Sequence, residues 1–151
     1  MAEQLSELVK VLEAVSALYR RMLEIMDRER RALLRARRTE IEACTAEKRD
    51  VLDRLQAAER RRTEAVNRLA RQIGQADAGV TLRVLARTAP EPHGSALHRC
   101  RSELLSLIEE IEADPAALDG LAAELTEIEK KLPRELREGA EGWTPDRPGW
   151  L

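Results

Sequence analysis

The residues with the most obvious chemistry are two histidines and two cysteines. A metal centre inside a helical bundle calls for Glu-x-x-His on facing helices, and neither His93 nor His98 has a glutamate three residues before it. Cys44 and Cys100 lie far apart, outside any CxxC pattern, and fall on apolar stripes, where a small buried hydrophobe in its reduced form is expected. No P-loop, GxGxxG or GxSxG pattern occurs, so nothing in the sequence cradles a phosphate or activates a serine. The chain reads as a non-enzyme, with no catalytic residue, metal ligand or cofactor.

What remains is binding chemistry. Arg20, Arg21, Arg28, Arg30, Arg31, Arg35, Arg37 and Arg38 form a basic run offset by Glu24, Asp27 and Glu29. This run reads either as a solvated face that complements an acidic stripe elsewhere in the fold, or as a surface on which Arg30, Arg31 and Arg35 dock an acidic protein partner. Nucleic-acid binding would need stacking aromatics or a groove-reading motif, and neither accompanies the arginines. Leu118, Leu121, Leu125, Ile128 and Leu132 recur by threes and fours within a strongly acidic stretch. They form either the last helix of a bundle or a leucine-faced surface that exchanges partners, since helix-in-groove recognition uses anchors at this spacing. Trp143 and Trp150 fall in a Gly- and Pro-containing tail, which is either mobile or carries an aromatic anchor for a partner.

These residues must be positioned by long helices. From Leu5 the apolar positions Leu5, Leu8, Leu12, Val15, Tyr19, Met22 and Met26 form a heptad seam, continued by Leu33 and Ala36 after a break at Glu29. Thr39 and Glu42 have capping-box spacing, so the first helix is expected to end near Arg37 and a second to start at Glu40. Its seam is Ile41, Cys44, Val51, Leu55 and Ala58, with Leu52, Val66, Leu69 and Ile73 on the same broad stripe, and Gly74 is placed to end it. Two helices of about 50 Å joined by a short turn must be antiparallel. Thr81 reads as the cap of a short helix stapled by Val80 onto Leu85. After the Pro90–Gly94 linker, Ser95 is expected to cap a third stripe through Leu97, Cys100, Leu104, Leu107, Ile111 and on to Leu132. Pro115 either kinks that stripe or starts a new helix behind Asp114.

The expected fold is therefore all-α: a long antiparallel hairpin (3–74), a short helix (81–88) and a C-terminal helical region (95–132). Together they form an elongated, coiled-coil-like bundle over 1–138, followed by a flexible tail at 139–151. Composition agrees, because Ala, Glu, Lys, Leu and Arg supply about 60% of the 151 residues and there is no Phe. The net charge of -2 divides unevenly: residues 1–75 carry 17 Lys+Arg against 13 Asp+Glu, whereas 76–151 carry 9 against 15. No apolar run approaches the roughly 20 residues of a membrane span, and Met1–Gln4 opens no signal-peptide pattern, so a cytoplasmic protein without stable membrane insertion is expected.

The first 85 or so residues resemble the FlgN family of flagellar type III export chaperones. The resemblance rests on Leu23 with Glu29-Arg30-Arg31-Ala32-Leu33, on Glu47-Lys48-Arg49-Asp50-Val51-Leu52, on Glu59-Arg60-Arg61-Arg62, on Leu69-Ala70 with Ile73-Gly74, and on Thr81-Leu82. It implies a cytoplasmic chaperone without ATPase activity that holds the C-terminal amphipathic segments of hook–filament junction proteins. Such a chaperone passes its cargo to the flagellar export gate and export ATPase complex. By position, the cargo face would be Leu118, Leu121, Leu125, Ile128 and Leu132. From the heptads alone, a structural coiled-coil adaptor of a flagellar or secretion apparatus is the alternative.

Overall fold

The computed structural model describes residues 1–74, 80–113 and 149–151. All regular elements among them are α-helices: α1 (Ala2–Leu34), α2 (Arg38–Gln72), α3 (Leu82–Thr88) and α4 (His93–Glu112). At 1.5 Å per residue the 33-residue α1 and the 35-residue α2 are each about 50 Å long. Their pairing is antiparallel, since Glu29 near the end of α1 meets Lys48 early in α2, while Leu8 and Leu12 share a cavity with Arg62 and Val66. The third partner, α4, runs parallel to α1, with His93 bonded to Ser6 at one end and Glu103 paired with Arg20 further along. The short α3 packs on α4.

Burial follows the heptads closely. Leu5, Leu8, Leu12, Val15, Met22 and Met26 of α1 are buried, as are Leu97, Cys100, Leu104, Leu107 and Ile111 of α4. The buried face of α1 is broader than one seam and also includes Val11, Ser16 and Ile25, because this helix packs against both α2 and α4. Tyr19 is half-buried against the core, and desolvation, reinforced by the nearby Glu59 carboxylate, pushes its phenol above its ordinary pKa. Desolvation likewise raises the Cys100 thiol, with Glu13 adding to the effect and Arg99 opposing it. Both cysteines are free and buried.

Three seam positions that the sequence pattern skips are occupied by charged residues. The α2 seam is a strict heptad through Cys44, Lys48, Val51, Leu55, Ala58, Arg62, Ala65 and Leu69, all buried. Glu29 does not break the α1 seam but completes it, at 7% exposure, and ion-pairs with Lys48, which is 2% exposed. The two charges compensate each other where either alone would be costly to bury.

Several expected ends lie elsewhere. The first helix stops at Leu34 rather than near Arg37, because the chain reverses through Ala36 in the left-handed region, φ 51°. The Arg37 N–H donates to the Ala32 carbonyl and the Ala36 N–H to that of Leu33, the two bonds of a Schellman motif. That closure makes the Thr39 cap unnecessary: α2 begins at Arg38, and Glu42 pairs back to Arg38 instead. The reversing chain covers Ala32, while Leu33 and Leu34 face outward at 56% and 81% exposure, contrary to the expected continuation of the seam through Leu33 and Ala36. Gly74, φ 72°, ends the hairpin, and Ile73 beside it is 39% exposed rather than part of the apolar stripe.

Thr81 caps α3 by accepting from the Val84 N–H. Ser95, in contrast, lies inside α4. The Pro90 carbonyl accepts from the His93 and Gly94 N–H groups, which starts the helix two residues early, and Glu91 bonds both the hydroxyl and the N–H of Ser95. Residues 114–148 include the Pro115 question and the rest of the third stripe, and lie outside the described residues.

Candidate functional site

The leucine face singled out as the cargo surface, Leu118, Leu121, Leu125, Ile128 and Leu132, lies outside the described residues, as does Trp143. The basic trio Arg30, Arg31 and Arg35 is exposed at the closed end of the hairpin, beside the outward Leu33 and Leu34. Most arginines of this run are engaged locally: Arg31 with Asp27, Arg28 with Glu47 and with the Cys44 sulfur, Arg37 with Glu40, and Arg38 with Glu42. Arg20 reaches the acidic α4, through Glu103. Complementarity across the bundle thus includes the Arg20–Glu103 bridge, while Arg28, Arg31, Arg37 and Arg38 are balanced within the hairpin.

At the open end of the hairpin a pocket is filled by the chain's own Trp150. Leu8 and Leu12 of α1, Arg62 and Val66 of α2, and Val80, Leu82 and Leu85 around the start of α3 converge there on Trp150. The Trp150 carbonyl accepts from the Leu82 N–H at 2.9 Å, a donor that the first turn of a helix leaves without an intrahelical partner. The Arg62 guanidinium stands 4.2 Å from the indole centroid in a cation–π arrangement. Its nitrogens also hold the Glu59 carboxylate and the Thr63 hydroxyl, which fixes the plane presented to the ring. One residue on, the Leu151 carbonyl accepts from Arg101 of α4 at 2.7 Å. Only about 10 Å³ of free space remains between these side chains, room for at most one water.

The bundle thus receives the Trp150–Leu151 segment through one backbone bond, one bond from Arg101, the Arg62 guanidinium on the indole and a lining of aliphatic side chains. Sequence reasoning placed Trp150 in a tail without a seat and did not connect Arg62 with it. The available signal was the strict α2 heptad, which puts Arg62 at a buried position where a guanidinium needs a partner. Elsewhere among the described residues no three His, Cys, Asp or Glu side chains converge on a point that could hold a metal. His93 lies beside Ser6, and no described helix is long and apolar enough to cross a membrane.

Residues 1–114 match the family model described as FlgN protein. The chain belongs to the FlgN family. The matched region takes in the hairpin, α3 and α4, and so extends the resemblance seen over the first 85 residues through the third buried seam. No curated protein and no solved structure matches the chain. Membership implies a flagellar export chaperone role, a part in flagellum assembly and type III export, and binding of flagellar substrate proteins. The FlgN match ends before Leu118, so the leucine stripe lies beyond the family model as well.

Proposed function

We propose that this FlgN-family protein binds the C-terminal amphipathic segments of hook–filament junction proteins, keeps them soluble, and delivers them to the export gate and its associated ATPase complex. It does so in the cytoplasm and by binding alone, without enzymatic chemistry. The observation that carries the reading is the family match over residues 1–114. The acidic leucine stripe Leu118, Leu121, Leu125, Ile128 and Leu132 is the cargo face in this reading. Apolar anchors at helical spacing would cover the cargo's own apolar stripe, while the surrounding acids keep the empty surface in water. A modest interface suits a carrier that must release its load.

The alternative of a structural coiled-coil adaptor requires heptads free to pair with other chains. The seams of α1, α2 and α4 are buried against one another within a single chain, which favours the chaperone reading. Calorimetric titration of the full chain with C-terminal segments of junction proteins tests it. Binding is expected, and Leu121→Asp combined with Leu125→Asp should weaken it by about tenfold or more, as removal of central apolar anchors does. If no junction-protein segment binds, the reading fails.

A further inference from the structure

A second charged surface differs from the arginine run of α1. Between α3 and α4 lies an open groove of about 720 Å³ lined by Arg83 and Arg87 from one helix and His98, Arg99 and Arg101 from the other. Its one acid, Glu91, is bonded to Ser95. Along α1 and the start of α2, Arg20, Arg21, Arg28, Arg31, Arg37 and Arg38 each pair with a carboxylate. Arg83, Arg87 and Arg99 are exposed, and none of them pairs with a carboxylate among the described residues. The groove also has a rigid floor. A Cβ on Gly94 would stand 2.7 Å from the Ala89 carbonyl oxygen, so the turn and the first coil of α4 are in direct backbone contact and hold the two arginine rows at a fixed separation.

We propose that this groove is a docking site for a short acidic segment of a partner protein, its carboxylates received by the guanidinium groups of Arg83, Arg87 and Arg99. Arg83 and Arg87 stand one helical turn apart, so their planar forks can engage successive acidic side chains, a task that suits arginine better than lysine. A nucleic acid fits less well. The groove has no Phe, Tyr or Trp on which successive bases could stack, and His98 is its single ring. Beyond Arg101, α4 carries Glu103, Glu109, Glu110 and Glu112 and no further cation, so a continuous phosphate backbone would be repelled where a short peptide ends. The site goes beyond the cargo reading, since it lies on α3 and α4 rather than on the leucine stripe.

The test is fluorescence anisotropy with the full chain and a labelled octapeptide of alternating glutamate and aspartate, at low and raised salt. Salt-sensitive binding is expected, weakened about tenfold by Arg83→Gln combined with Arg87→Gln and severalfold by Arg99→Gln. Arg68→Gln combined with Arg71→Gln, two exposed positions on α2, should leave it unchanged, and helical circular dichroism checks that each variant is folded. Absence of binding overturns the proposal, whether the groove rejects carboxylates or the chain's own acidic stretch after Asp114 fills it. Equal loss in the α2 variant overturns it too, as does tighter binding of a single-stranded oligonucleotide through the same arginines. Titration of junction-protein segments on the groove variants is expected to be unaltered, so failure here and failure of the cargo reading are separate outcomes.

Discussion

Ala36 occupies a left-handed conformation, φ 51°, that costs an L-residue roughly 1 kcal/mol or more and a glycine almost nothing. Its N–H already donates to Leu33 and its neighbour's to Ala32, so Ala36→Gly keeps both bonds and removes the steric cost. A stability gain of about 0.5–1 kcal/mol is expected, read as a higher denaturation midpoint at unchanged slope. The Glu29–Lys48 pair makes the opposite case. Both side chains are buried between the helices, so Lys48→Ala removes the buried countercharge of Glu29 and should cost about 3 kcal/mol or more. Replacing both with leucine should recover most or all of that loss. A double-mutant cycle in urea measures the coupling, and additive losses would mean that the two charges do not depend on each other. Tyr19 gives the bundle an alkaline limit. Its phenol titrates higher when folded than its ordinary 10.0, because burial and then Glu59 disfavour the phenolate. That contribution is complete below pH 10 and is lost as pH rises through the folded value. Tyr19→Phe should therefore unfold at higher pH than the parent, as followed by circular dichroism.

At the scale of elements, the seams were legible because Leu, Val, Met and Ile recur at positions that a straight reading of heptads picks out, and the hairpin, α3 and the described part of the third stripe follow from them. The charged seam positions were not legible by hydrophobicity. Lys48 and Arg62 interrupt the apolar count, although both fall in strict register, and each is tolerated for a different reason: one has Glu29 across the interface, the other has Glu59 below it and an indole above it. Helix ends were misread where backbone closure replaced a side-chain cap, as at Ala36 and Pro90, and correctly read where a hydroxyl did the capping, as at Thr81. Of the site residues, Arg30, Arg31 and Arg35 are placed at the hairpin tip, while the seat of Trp150 was invisible because it joins four segments distant in sequence. Arg62→Ala removes the cation above the indole and opens the seat to water, so Trp150 should become more readily quenched by acrylamide. An unchanged quenching constant would mean that Arg62 does not hold the ring.

For the molecule as a whole, the division between bundle and binding surface can be separated by a single cut. The buried seams of α1, α2 and α4 lie within residues 1–113, and so does nearly the entire family match. What residues 114–151 add to the described structure is the Trp150–Leu151 segment, one half-buried indole with two carbonyl bonds, whose removal should cost about 1.5–3 kcal/mol. The charge divides at the same place: residues 1–113 carry 21 Lys+Arg against 19 Asp+Glu, and residues 114–151 carry 5 against 9. A chain cut after Ala113 is therefore expected to keep cooperative unfolding and its helical signal, with a midpoint lowered by several degrees. If the leucine stripe carries the cargo, the same cut abolishes binding of junction-protein segments while the acidic octapeptide still binds between α3 and α4. Retained cargo binding by the folded, shortened chain would move the cargo face from the stripe onto the bundle, where the open Trp150 seat is the surface left vacant by the cut and Leu8→Asp the variant that would then abolish binding.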